Sequence, residues 1–242
     1  MRKYLLLLPA VCGAMLCHAQ YSDSVHHYAG LVSTGTYNKT TTNSSFVLSN
    51  MLKLGIRQKA YACNGNVSWL YGQQQGNLTN NDVVATADIN LYKTFPNFYY
   101  WGLANYTSSF SLKIIDQYQA GAGIAYNILD TKNAYLNVSD GIIYENSNII
   151  LADSTDKYST YRNSFRLSFR FVIKDMVTIS SMSFYQNSFN SSTDYIIRSN
   201  ATLGVKVRKW LSLNTTYTYN RFNRTGRENT LLNYGLTVEK YF

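Results

Sequence analysis

Phe165–Lys174 reads FRLSFRFVIK. Phe165, Leu167, Phe169, Phe171 and Ile173 share one parity, and Arg166, Ser168, Arg170 and Lys174 share the other. Successive side chains of an extended chain point to opposite faces, so this stretch is a strand with one apolar and one polar face. The same period of two recurs elsewhere. Phe46, Leu48, Leu52, Leu54 and Ile56 alternate with Val47, Ser49, Met51, Lys53 and Arg57. Val83, Ala85, Ala87, Ile89 and Leu91 alternate with Val84, Thr86, Asp88, Asn90 and Tyr92, and Leu211–Asn220 repeats the pattern. Beyond the N-terminus nothing shows convincing helical periodicity.

Twelve such segments are counted, with ten the alternative count. They fall at 25–37, 46–57, 59–72, 83–95, 98–109, 117–129, 133–146, 158–174, 176–187, 194–208, 210–222 and 230–242. The connections alternate in length. Tight ones fall at Gln58, Pro96-Asn97, Thr131-Lys132, Lys174-Asp175 and Lys209. Longer polar ones fall at Asn38–Ser45, Gln73–Asp82, Phe110–Asp116, Ser147–Lys157, Ser188–Thr193 and Asn223–Asn229. This describes an all-β, up-and-down antiparallel transmembrane barrel with short periplasmic turns and longer extracellular loops. An even strand count leaves both termini in the periplasm.

Composition excludes the main competitors. Of 242 residues only 14% are charged, against about 25% in soluble domains. No apolar run after the N-terminus reaches ~18 residues, which excludes helical spans. The 15% of aromatic residues argues against extended disorder. The expected aromatic girdles are Trp69 and Tyr71 at a loop end, Tyr99, Tyr100 and Trp101 after a tight turn, and Trp210 beside another. The competing reading places these rings in an ordinary soluble β core.

Residues 1–19 read as a signal peptide, with Arg2 and Lys3, an apolar Leu5–Leu16 and a small-x-small site at Cys17-His18-Ala19. Residues 20–242 then form the barrel domain. Cleavage removes two of three cysteines and lowers the net charge of +9 by two. Cys63 remains alone, on the apolar parity, so neither an intrachain disulfide nor a cysteine metal cluster is expected. The expected location is the outer membrane of a Gram-negative cell, against lipid and lipopolysaccharide. In the last strand Tyr234, Leu236, Val238 and Phe242 share the apolar parity up to the terminal residue. Such a strand resembles the signal read by the barrel-insertion machinery, an expected partner.

Gln117–Glu145 reads QYQAGAGIAYNILDTKNAYLNVSDGIIYE. It resembles the central motif of the salt-induced outer-membrane protein family at Gly121, Gly123, Tyr126, Leu129, Asp130, Thr131, Leu136, Gly141, Tyr144 and Glu145. Ala125 and Asp140 depart from the pattern, where a glycine and a small neutral residue are expected. The resemblance implies an outer-membrane barrel and brings no catalytic residue.

Catalysis, a cofactor and a nucleic-acid partner are not expected. After the leader the histidines are His26 and His27, adjacent and at the start of the first strand, far from the rim where a barrel enzyme needs its base. The functional lead is charge on the polar face. Arg162, Arg166, Arg170 and Lys174 recur every fourth residue, and Lys53, Arg57, Asp88 and Glu145 share the inferred lumen parity. One reading is a narrow passive channel preferring small anions, since rings of Arg and Lys select them. The second is a closed barrel in which these cations pair with Asp88, Glu145 and Glu239, with Glu145 and Arg162 as a cross-strand pair. Arg221, Arg224 and Arg227 would then contact lipopolysaccharide phosphates or a partner. An unrecognised envelope enzyme is the third.

Overall fold

In the computed structural model, residues 26–39, 43–95, 97–151 and 154–241 are described. The leader expected at 1–19 and Phe242 lie outside these residues. Twelve strands follow one another: β1 (His27–Lys39), β2 (Ser44–Arg57), β3 (Tyr61–Gln74), β4 (Asn77–Phe95), β5 (Phe98–Ser109) and β6 (Ile114–Asp130). The second half is β7 (Ala134–Ile150), β8 (Thr155–Ile173), β9 (Val177–Ser188), β10 (Tyr195–Arg208), β11 (Leu211–Phe222) and β12 (Arg227–Tyr241). Each pairs antiparallel with the next, and β12 pairs with β1 to close a barrel. A single 3₁₀ turn, Asn223–Thr225, interrupts the β pattern among the described residues.

The barrel is inverted relative to a soluble one. Leu52, Leu54, Val67, Ile124 and Ile142 face outward and are about half exposed. Asn105, Gln119, Asn137, Thr160 and Ser164 face inward and are buried. An apolar belt outside and polar groups inside is the arrangement lipid stabilises, because closure pairs every backbone group and leaves no edge.

Outward rings frame the belt. Toward the distal end, opposite the termini, the pairs are Trp69–Tyr71 at 5.8 Å, Tyr106–Tyr118 at 5.1 Å and Tyr144–Tyr161 at 5.3 Å. Toward the termini stand Phe98–Tyr126 at 4.8 Å and an exposed Trp210. Tyr99 and Trp101 do not belong to this frame. Their parity on β5 is that of Asn105 and Thr107, and both are buried inside the barrel.

The distal connections are shorter than their polar sequences suggest. β3 and β4 meet at a two-residue turn, Gln75-Gly76, with φ of 53° and 79°. These positive angles suit the right-handed twist of a hairpin. β7 runs to Ile150 and β8 starts at Thr155, so most of Ser147–Lys157 is strand. Above the belt both faces of the wall are wet. The ladder continues there without the apolar alternation that marks it in sequence.

Candidate functional site: the barrel interior

The distal half of the interior is built around two residues with no exposed surface, Glu145 of β7 and Arg162 of β8. They sit one step apart on the diagonal, since Arg162 registers with Ile143 and Glu145 with Thr160. Arg162 donates through Nε to Glu145 Oε2 and through Nη2 to Oε1, both at 2.9 Å. It also donates to the Asp194 carbonyl oxygen at 3.0 Å and to Asp194 Oδ1 at 2.9 Å. Glu145 accepts from the Tyr158 hydroxyl and from Gln119 Nε2, each at 2.7 Å. Removing two charges from water is costly, and only such complete pairing offsets it.

Arg224, in the turn after β11, extends the knot to the rim. Its guanidinium donates to Asp194 Oδ2 at 3.0 Å and Asp156 Oδ2 at 2.9 Å, and lies 3.7 Å from the centre of the Tyr158 ring. Partial burial pulls its pKa down, but the hydrogen bonds to Asp156 and Asp194 outweigh that and raise it. Beside the knot, Leu112, Ile114, Ile149, Ile196 and Phe222 form a buried apolar cap drawn from both sides of the barrel.

The β5–β6 turn is anchored by Asp82 of β4. Its carboxylate accepts from the Ser109 hydroxyl at 2.9 Å and from the Ser111 amide and hydroxyl at 3.1 and 2.6 Å. From there Ser111 reaches β12, where Asn229 Nδ2 donates to its hydroxyl at 3.0 Å. A second chord runs from Arg198 Nη2 on β10 to Gln117 Oε1 on β6, at 2.8 Å.

The half nearer the termini is different. Tyr99, Trp101, Ala125 and Ile143 form a buried cluster, with Tyr92 and Leu103 against it. The glycines of the central motif make room for the indole. A Cβ on Gly123 would stand 2.6 Å from Trp101 Cζ2, and one on Gly141 2.5 Å from it. Arg166 lies 6.0 Å over the Trp101 ring and donates to the Tyr99 hydroxyl at 3.2 Å. Arg57 lies 5.8 Å over Tyr92. Asp88 accepts from Asn64 and Asn90 at 2.8 and 2.9 Å.

The inferred charge row therefore divides. Arg162 is sealed in the knot with Glu145. Arg166 faces the aromatic cluster, and Arg170 lies further toward the termini, exposed. Lys174 lies beyond β8, in the turn, with φ of 50°, and does not continue the row. Lys53, Arg57 and Asp88 share the inner face as their parity requires. Arg57, Arg166 and Arg170 make no ion pair among the described residues. Tyr234, Leu236 and Val238 face outward, each 47% exposed or more. His26 Nδ1 sits 3.1 Å from the Arg57 carbonyl oxygen. Arg221 lies 5.7 Å over the outward Tyr195 ring, and Arg227 is exposed at the start of β12.

Sequence reasoning missed Asp194, Tyr158, Gln119 and Asp82. Asp194 and Asp82 meet their partners at turns that no spacing marks. Gln119 and Tyr158, in contrast, share the inward parity of Glu145 on the strands either side of it and could have been found from it. The sequence expectation puts Trp101 with Tyr99 in the outer frame, although a parity opposing that of Phe98 and Tyr100 marks both as inward.

Solved structures that share this architecture include two of similar size. The translocator domain of autotransporter NalP from Neisseria meningitidis superposes with a TM-score of 0.54 at 10% identity, covering 91% of this chain and 90% of its own. The NanC porin gives 0.55 at 12% identity, covering 88% and 100%. No curated protein matches the sequence. The family described as "Protein of unknown function, DUF481" matches residues 32–239. With nearly all of the barrel inside that match, this chain belongs to the DUF481 family.

Proposed function

We propose that the protein is a narrow passive channel of the outer membrane that favours small anions. One observation carries this reading. Arg57, Arg166 and Arg170 line the half of the interior nearer the termini without an ion pair among the described residues. Glu145 and Asp194 are paired in the distal knot with Arg162 and Arg224, and Asp88 and Asp130 accept from asparagine amides. This leaves the three arginines without a direct carboxylate contact among the described residues. A cationic vestibule below a side-chain constriction concentrates anions. The fold shared with NanC, a porin, supports a channel in general. The resemblance of Gln117–Glu145 to the salt-induced outer-membrane proteins supports the same compartment, reached through the leader and the insertion machinery that reads Tyr234, Leu236 and Val238.

The experiment is current through the refolded mature protein in a planar bilayer under a salt gradient. Discrete steps with an anion-selective reversal potential are expected. Arg166→Glu with Arg170→Glu should move that potential toward cation selectivity. A silent bilayer, with heat-modifiable gel migration showing a folded barrel, would overturn the channel.

The buried knot and apolar cap favour a second reading, a closed barrel whose distal rim contacts lipopolysaccharide or a partner. Under that reading the same double substitution leaves the bilayer silent and changes stability alone.

A further inference from the structure

We infer that the β7–β10 face of the barrel is covered in the membrane by a second copy of this chain, related by a two-fold axis along the barrel. The outward residues of β7 run Leu136, Val138, Asp140, Ile142, Tyr144. Asp140 stands four residues from Tyr144, which belongs to the distal ring of aromatics. Four residues span ~13 Å along a strand, and strands tilt ~45° through an apolar band ~25 Å tall. The carboxylate is therefore near mid-depth of the lipid-facing belt. It is exposed, makes no ion pair among the described residues, and accepts one hydrogen bond there, from Asn163 Nδ2 of β8 at 2.8 Å.

Its surroundings are polar too. Ser183 of β9 and Ser199 of β10 face outward and share a hydrogen bond of 2.8 Å between their hydroxyls. On the neighbouring wall the contrast is sharp. On β3–β6 one continuous line of register partners reads Gly65, Ala87, Ala104 and Ala120, a shallow apolar groove suited to acyl chains. Ser33 and Asn50 form a further outward pair on β1–β2, at 2.8 Å, without an ionisable group. A lone carboxylate among acyl chains is the costliest of these features, because hydrocarbon supplies no donor.

A second copy supplies the donors in the right place. Asp140 Oδ2 and the second N–H of Asn163 make no hydrogen bond among the described residues. The two side-chain ends touch, so they lie at one depth. A two-fold axis parallel to the barrel then presents each Asn163 amide to the other copy's Asp140. That reciprocity is the requirement of an isologous interface. Ile124, Ile142 and Phe165, all outward and 45–54% exposed, form an apolar rim around it.

The test is oxidative cross-linking in native membranes, in a chain carrying Cys63→Ser with one new cysteine. Ile142→Cys should give a disulfide-linked dimer, and Val67→Cys, outward on the groove side, should not. Adding Asp140→Leu to the Ile142→Cys chain should cut the dimer about a hundredfold, the size of the two charge-assisted hydrogen bonds that the symmetric contact loses. Heat-modifiable migration confirms that each variant is folded. Equal cross-linking at both positions, none at Ile142, an adduct to a different protein, or indifference to Asp140→Leu would each overturn the proposal.

Discussion

Arg162 is the residue on which the distal half of the interior depends. Its side chain has no exposed surface and spends its hydrogen bonds on Glu145 and Asp194. Losing one member of a buried pair strands the other charge, at a cost of about 3–5 kcal/mol. Arg162→Leu should therefore lower the unfolding free energy in denaturant by that order. Arg162→Leu with Glu145→Leu should recover much of the loss, because no buried charge is left unpaired. Trp101 is the counterpart in the other half. With Gly123→Val, the added side chain meets the indole and the Gly141 backbone. Overpacking of this kind costs about 1–3 kcal/mol. In a chain with Trp69→Phe and Trp210→Phe, the emission of Trp101 should shift to the red as the ring leaves its groove. Unchanged emission would show that the glycines serve the strand pairing and not the indole.

At the scale of the element, the strands were legible because each crosses a boundary between lipid and a polar interior. That boundary imposes alternation on Phe165–Ile173 and on Phe46–Arg57. Where it ends, so does the signal, and β4 begins at Asn77 although the alternation marks it only from Val83. The interior was legible only in parity. Arg162 and Glu145 could be placed on the same side of the wall, and Tyr158 with them, four residues before Arg162 on the same face of β8. Asp194, however, reaches Arg162 from the β9–β10 turn, where no alternation places it. Lys174 was assigned by counting fours along β8, and the turn takes it out of line. The closing seam is the weakest joint. β1 and β12 are in register over Tyr28–Thr34 with Gly235–Tyr241, whereas β1 and β2 pair from His27 to Lys39. Gly235 lies in that short seam, where a Cβ would meet Thr34 and stand 2.6 Å from the Ser33 carbonyl oxygen. Gly235→Val should reduce the yield of heat-modifiable barrel on refolding more than Gly65→Val does. The corresponding Cβ at Gly65 meets only a backbone oxygen at 3.9 Å. Equal yields would place the difficult step of assembly elsewhere.

For the whole molecule, interior and exterior are both two-sided. Inside, a distal half narrowed by ion pairs and apolar side chains lies over a half lined by Arg57, Arg166 and Arg170. Outside, a small-residue groove on β3–β6 adjoins the polar face around Asp140, since Ala120 of β6 registers with Tyr144 of β7. The chords from Ser111, in the β5–β6 turn, to Asn229 of β12 and from Gln117 of β6 to Arg198 of β10 join elements that are not neighbours, and both belong to the distal half. Mechanically they are cross-ties in a thin-walled tube. An untied ring flattens into an oval when squeezed unevenly from the side, whereas a tied one keeps its outline. The distal end carries more of these ties, while the half near the termini is tied more sparsely, by the bond from Arg166 of β8 to the Tyr99 hydroxyl of β5. Uneven squeeze from the bilayer is therefore taken up mainly as ovalling there, around Arg57, Arg166 and Arg170.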